Sequence, residues 1–193
     1  MMACWLRLCV GAWIALAAFS VASVERVSVC FNYGCLAQAE VEFSDEQLDE
    51  VGQWLAAARN SLEERRIIGE AVGRLLAWAG QQSPIAADRG GNYADDAVYG
   101  RMDCIDHSTT TTRLLQLMER HGWLRFHRVL APALRSRFLV FEHYSAQIEE
   151  ISVNSAEIDG ALFVVDSWFF DNGRPAAVMP LAAWLNGESP NVE

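Results

Sequence analysis

The chain of 193 residues is about one domain long, and at 52% hydrophobic and 21% charged it holds enough apolar material for a real core. Its 15 basic residues are outnumbered by 25 acidic ones, a formal net charge of −10, which argues against nucleic acid as its main partner. Every basic residue is arginine, so a phosphate-loop lysine, a Schiff-base lysine and a lysine general base are all excluded.

The first segment differs from the rest. Met1 to Arg7 carries one positive charge, and Leu8 to Val24 is an uncharged, alanine-rich stretch. Ser20-Val21-Ala22 fits the small-x-small cleavage pattern of a secretory signal peptide over residues 1–22, leaving residues 23–193 as one domain. The competing reading is an uncleaved anchor in the inner membrane, although this stretch is near the lower limit for spanning. Export to the periplasm is the expectation, with membrane contact only if the segment stays attached.

Export changes how the cysteines read. Without residues 1–22 three remain, Cys30, Cys35 and Cys104. In an oxidising compartment Cys30 and Cys35, spanning Cys-Phe-Asn-Tyr-Gly-Cys, can close a small disulfide loop around a turn at Asn32 and Gly34. The alternative is two reduced cysteines flanking a strand turn. If they pair, Cys104 is left over as a thiol to watch.

Short strands are predicted at Val27–Phe31 and Val41–Phe43, around that turn. Ser44-Asp45-Glu46-Gln47 is a capping box opening a helix to about Arg59, and Ser61-Leu62-Glu63-Glu64 repeats the signal for a helix to about Gln82. In the second, Ile67, Ile68, Ala71, Leu75, Leu76 and Trp78 form an apolar face. Pro84 ends it, and Ser83 to Met102 is a long loop carrying Arg89-Gly90-Gly91-Asn92. A third helix runs from Asp103 or Cys104 to Gly122. Strands are predicted at Trp123–Leu130, Phe138–Ile151 and Ala161–Trp168, then a turn at Asp171-Asn172-Gly173 and a short helix from Pro180 to Leu185. One α+β domain accounts for this order.

The chemistry centres on Asp103-Cys104-Ile105-Asp106-His107. A cysteine in the first turn of a helix sits near unsatisfied N–H groups and the positive end of the dipole, which favours thiolate over thiol. The same N–H groups can stabilise an oxyanion. A base must then move the proton, and histidine is the usual one.

Geometry separates the four histidines. His121 lies roughly 25 Å along the same helix at ~1.5 Å per residue, out of reach. His107 is one turn on, where packing or hydrogen bonding within the helix competes with a role as base. His127, between Arg125 and Arg128, suits a solvated strand face. His143 stands on a strand whose same-face neighbours Leu139 and Phe141 are apolar. Asp166 is similarly out of place, sharing a face with Leu162 and Val164, where a carboxylate needs a partner. An imidazole on a neighbouring strand would supply one.

The order Cys104, His143, Asp166, with the Asp-Cys helix start, the His-Tyr-Ser-Ala strand and the Val-Val-Asp-Ser-Trp strand, resembles the transglutaminase-like superfamily, nearest its bacterial cysteine peptidases. The resemblance covers roughly residues 60–186. It implies a papain-like α+β core with the nucleophile helix on an antiparallel sheet. It also implies Cys104 as nucleophile, His143 as general base and acid, and Asp166 as orienting carboxylate. No cofactor is implied, and the partner would be a protein or peptide substrate in the cell envelope. The chain is shorter than larger relatives and carries no appended substrate-binding domain. The second oxyanion donor is not identified by sequence; Trp78, Gln81 and Tyr99 are the candidates.

Two other readings compete. Cys104, Asp106, His107, His143 and Asp166 could gather round a metal, although no strong zinc spacing is present. The same fold could also serve as a non-catalytic binding domain. Trp168, Phe169 and Phe170 are read as core, with a pocket rim as the alternative.

Overall fold

The computed structural model describes residues 24–91, 95–137, 141–151 and 160–190. Residues 1–22, expected to be a signal or anchor, lie outside these, as do Asn92 and Leu139. An opening hairpin pairs β1 (Glu25–Phe31) with β2 (Ala37–Phe43) in antiparallel register from Glu25↔Phe43 to Phe31↔Ala37. Val27, Val29, Phe31, Val41 and Phe43 are buried while Gln38, Glu40 and Glu42 are exposed, the alternation of a half-buried sheet.

Helix α1 (Asp45–Ala56) starts at the predicted capping box: Gln47 N–H donates to Ser44 Oγ at 3.3 Å and Ser44 N–H to Gln47 Oε1 at 3.0 Å. Helix α2 (Ser61–Gly80) is capped one residue earlier than expected. Asn60 Oδ1 accepts from Glu63 N–H at 2.9 Å, so Ser61 is the first helical residue. The predicted apolar face of α2 is buried. A Cβ on its Gly73 would fall 2.6 Å from Arg174 O, so the bare glycine lets the chain running back toward the sheet lie against the helix.

After a 3₁₀ turn at Pro84–Ala87, α3 spans Cys104–Arg120. Strands β3 (His127–Arg137), β4 (Phe141–Glu150), β5 (Leu162–Asp166) and β6 (Ala177–Pro180) then form one antiparallel sheet in that order, followed by the short helix α4 (Leu181–Leu185). One strand prediction needs correction at both ends. The strand expected at Trp123–Leu130 begins at His127, because the N–H groups of Arg125 and Phe126 donate to Glu64 instead of a neighbouring strand. It also runs through Pro132, which an edge strand tolerates at the register shift between Leu130 and Ala133. The four-residue β6 was not expected at all.

Leu114, Leu115 and Met118 of α3, Val72 and Leu75 of α2, and Ala146, Ile148 and Val165 of the sheet share the main core. Ala133, Val164 and Trp184 form a smaller cluster. The architecture is therefore α+β. Among the described residues, no helix is long and apolar enough to cross a membrane.

Candidate active site

The site is built where the start of α3 meets the ends of β4 and β5. Asp103 caps α3, its Oδ1 accepting from Asp106 N–H at 2.9 Å, while Asp106 Oδ2 accepts from Asp103 N–H at 3.1 Å. This reciprocal box uses the first-turn donors on either side and leaves Cys104 as the first helical residue. Among the described residues, no acceptor meets the backbone N–H groups of Cys104 and Ile105. Cys104 is half-buried and is the free thiol among them.

His143 and Asp166 share a face of the sheet. The pairing Ala146↔Val165, continued one step, sets Ser145 across from Asp166, and His143 stands two residues further on the same side. His143 Nε2 lies 2.7 Å from Asp166 Oδ2, and Cys104 lies close enough to the ring to act on its charge. The carboxylate is 1% exposed but fully partnered. Oδ2 also accepts from the Trp184 indole N–H at 3.0 Å, and Oδ1 from Trp168 N–H at 3.2 Å. The rings of Trp168, Trp184 and Phe169 stand 4.9, 5.6 and 5.9 Å from the imidazole, centre to centre, and box it in. Arg135, paired with His143 across β3, lies over the Trp184 ring and donates to Trp184 O at 2.7 Å. The aromatic run Trp168-Phe169 therefore walls the imidazole as well as filling the core.

Burial pushes the His143 imidazole down, but the hydrogen bonds and negative charges of Asp166 and Cys104 outweigh it and raise it from 6.5 to about 9. A raised imidazole contributes stability that is complete below pH 6.5 and lost as pH rises through about 9. The thermal unfolding midpoint is expected to fall across that window, by the equivalent of at most about 3 kcal/mol. A pH series of melts on wild type and His143→Ala checks this, the variant being expected to lack the step.

The other sequence candidates go elsewhere. His107 is buried one turn along α3, with Nδ1 2.9 Å from Ser167 Oγ, which in turn is 2.9 Å from Thr111 Oγ1. Its Nε2 is 3.1 Å from Asp88 Oδ2, close enough for an ion pair but out of line for a hydrogen bond. It bonds across to the end of β5 and not within its own helix, and it braces α3 against the residue following Asp166. His127, expected on a solvated face, is 1% exposed, with Nδ1 2.7 Å from the wholly buried Glu64. His121 closes α3 and stacks on Trp123 at 4.4 Å. The five residues considered as a metal set do not converge, because Asp106 and His107 are turned to partners of their own. Among the described residues, the cluster of metal-ligating types is Cys30, Cys35 and Asp106, and its sulfurs are joined as a disulfide. Of the candidate oxyanion donors, Trp78 is buried on α2 beneath Arg74, Gln81 caps α2, and Tyr99 meets Phe31 edge-on at 5.6 Å.

The disulfide turn is joined to this helix start. Asn32, Tyr33, Gly34 and Cys35 all have φ between 58° and 66°, a left-handed turn of which three residues are not glycine. Its N–H groups point at the cap: Tyr33 N–H donates to Asp106 Oδ2 at 2.8 Å, Cys35 N–H to Asp106 Oδ1 at 2.6 Å, and Gly34 N–H to Asp103 Oδ2 at 2.9 Å. Burial and the charge of Asp103 nevertheless raise the Asp106 carboxyl to about 6. On the other side, the long loop comes close to the residues after Asp166. Gly91 N–H donates to Trp168 O at 2.9 Å, and a Cβ on Gly90 would fall 2.4 Å from Phe169 O, so only glycine fits that crossing.

The structure brings His143 and Asp166 together near Cys104, while Trp184, Ser167, Asp88 and the contact of Asp106 with the turn were not expected from the sequence. No protein-family model, curated protein or solved structure matches the chain.

Proposed function

We propose that this is an exported thiol hydrolase or acyltransferase acting on amide or peptide bonds. The observation that carries the reading is the position of His143, bonded through Nε2 to a fully partnered buried carboxylate and near enough to a helix-start cysteine to be affected by its charge. Cys104 as thiolate attacks the carbonyl carbon, and the free N–H groups of Cys104 and Ile105 face the developing oxyanion. The imidazolium gives its proton to the leaving amine as the tetrahedral intermediate collapses to a thioester. His143 then takes a proton from the incoming water or amine, and the thioester is resolved. Asp166 holds the ring's tautomer and offsets its charge. Water yields a peptidase or amidase, and an amine yields crosslinking. Lacking lysine, the chain offers no side-chain amine as its own acceptor.

The nucleophile helix beside an antiparallel sheet whose adjacent strands carry the histidine and aspartate supports a papain-like, transglutaminase-like core. The apolar N-terminal segment and the Cys30–Cys35 disulfide, with Cα atoms 4.7 Å apart, support export. The test is iodoacetamide alkylation of Cys104 against pH, in wild type and His143→Ala. Rapid labelling at pH 6 that slows by about 100-fold without His143 is expected, within the range of positioned proton-transfer partners. Labelling that ignores His143 would overturn the catalytic reading and favour a binding domain.

A further inference from the structure

We propose that the Cys30–Cys35 disulfide is a latch on the nucleophile, holding the first turn of α3 in the geometry that lets Cys104 meet His143, and that its reduction releases that turn and lowers Cys104 reactivity. This rests on the reading of Cys104 as a nucleophile.

Three observations carry it. The latch acts on the right residues, since Tyr33, Gly34 and Cys35 donate to Asp103 and Asp106, the cap and third residue of the helix that Cys104 begins. Those two carboxylates repel, and the turn's N–H groups, together with the reciprocal N–H bonds of the cap itself, offset that repulsion. The turn is also strained: Asn32, Tyr33 and Cys35 are left-handed without being glycine, a conformation that persists only where its surroundings enforce it. With the sulfurs parted, the six-residue loop is free to relax to ordinary backbone and withdraw its donors. Finally, the disulfide is asymmetric in access. Cys30 is fully buried and Cys35 half-exposed, so an incoming thiolate reaches Cys35 Sγ and Cys30 is the leaving group. The Arg113 guanidinium donates to Cys30 Sγ at 3.4 Å and stabilises the negative charge that develops there.

The reductant is a dithiol. One of its thiolates attacks Cys35 Sγ, the Cys30–Cys35 bond breaks, and the bonding pair leaves on Cys30. The second dithiol sulfur attacks the mixed disulfide, releasing Cys35. Two electrons and two protons pass to the protein, and the reductant becomes a cyclic disulfide.

The experiment measures Cys104 alkylation at pH 6 by peptide-resolved mass spectrometry in four samples of the full chain: oxidised, reduced with dithiothreitol, reoxidised, and the Cys30→Ser/Cys35→Ser double variant. Each is compared with the same sample carrying His143→Ala, and far-UV circular dichroism follows the fold. The expected result is a fall of tenfold or more on reduction and in the serine variant, recovery on reoxidation, and loss of the sensitivity to His143 while the disulfide is open. An unchanged, His143-dependent rate with the disulfide open overturns the latch but leaves the catalytic reading standing. A rate indifferent to His143 in the oxidised protein overturns the catalytic reading itself. Unfolding of the whole chain on reduction of the wild type overturns the latch as a local device, whether or not the serine variant folds.

Discussion

Asp166→Asn is expected to leave a folded protein whose Cys104 is alkylated at pH 6 roughly 100-fold more slowly, with His143 titrating well below its native value of about 9. The wild-type carboxylate accepts from three donors, His143 and Trp184 on Oδ2 and Trp168 N–H on Oδ1. An amide can present its oxygen to only one side. With oxygen toward His143 and Trp184, its NH₂ faces the Trp168 N–H, donor against donor. With NH₂ toward them, the Trp184 indole N–H loses its acceptor and the imidazole is forced into the opposite tautomer. Either arrangement costs about 1–3 kcal/mol for the orphaned donor, and both remove the charge that helps hold the ring protonated. In a serine-protease triad the corresponding change lowers kcat by ~10⁴ while preserving the geometry. Histidine NMR titration beside the labelling rate checks both halves. A His143 titration unchanged from wild type, with unchanged labelling, would show that Asp166 is structural only.

Glu64→Ala is expected to be the most damaging single substitution far from Cys104, destabilising by about 3–5 kcal/mol. Glu64 is wholly buried, accepting from Arg125 N–H at 2.7 Å, Phe126 N–H at 3.0 Å and His127 Nδ1 at 2.7 Å. Arg65 continues the network, 3.3 Å from His127 Nε2 and 2.6 Å from Glu150. Alanine removes the acceptor of two partly buried backbone donors and of a buried ring nitrogen. Since a domain's whole stability is about 5–15 kcal/mol, urea denaturation should show a large drop in midpoint. A midpoint within experimental error of wild type would contradict this account of the turn between α3 and β3.

What the sequence revealed and what it hid follow one rule. Cys104, His143 and Asp166 stood out as candidates because each is a reactive group where local pattern calls for something else: a thiol in the first turn of a helix, an imidazole and a carboxylate in apolar strands. The α1 capping box and the buried face of α2 were legible because their signals span a few residues. Trp184 was not, since a tryptophan in Leu-Ala-Ala-Trp-Leu reads as core and nothing nearby announces that its N–H serves Asp166. His127 was misread because its partner lies 63 residues earlier, in a helix segment crowded with Glu63, Arg65 and Arg66. Pro132 hid the second half of β3, which survives only because that strand is at the sheet's edge. The contact between the disulfide turn and Asp106 spans 73 residues and depends on a left-handed backbone that side-chain identity does not disclose.

That last contact also bears on the order of assembly. The turn's ring closes between residues five apart, a local event that can finish as the chain emerges, well before residues 103–106 follow. When α3 forms, its two carboxylates are met by the N–H groups of that turn. The negative end of the hairpin contact thus comes last, and the helix that bears the thiol is seated by a part of the protein made some seventy residues earlier.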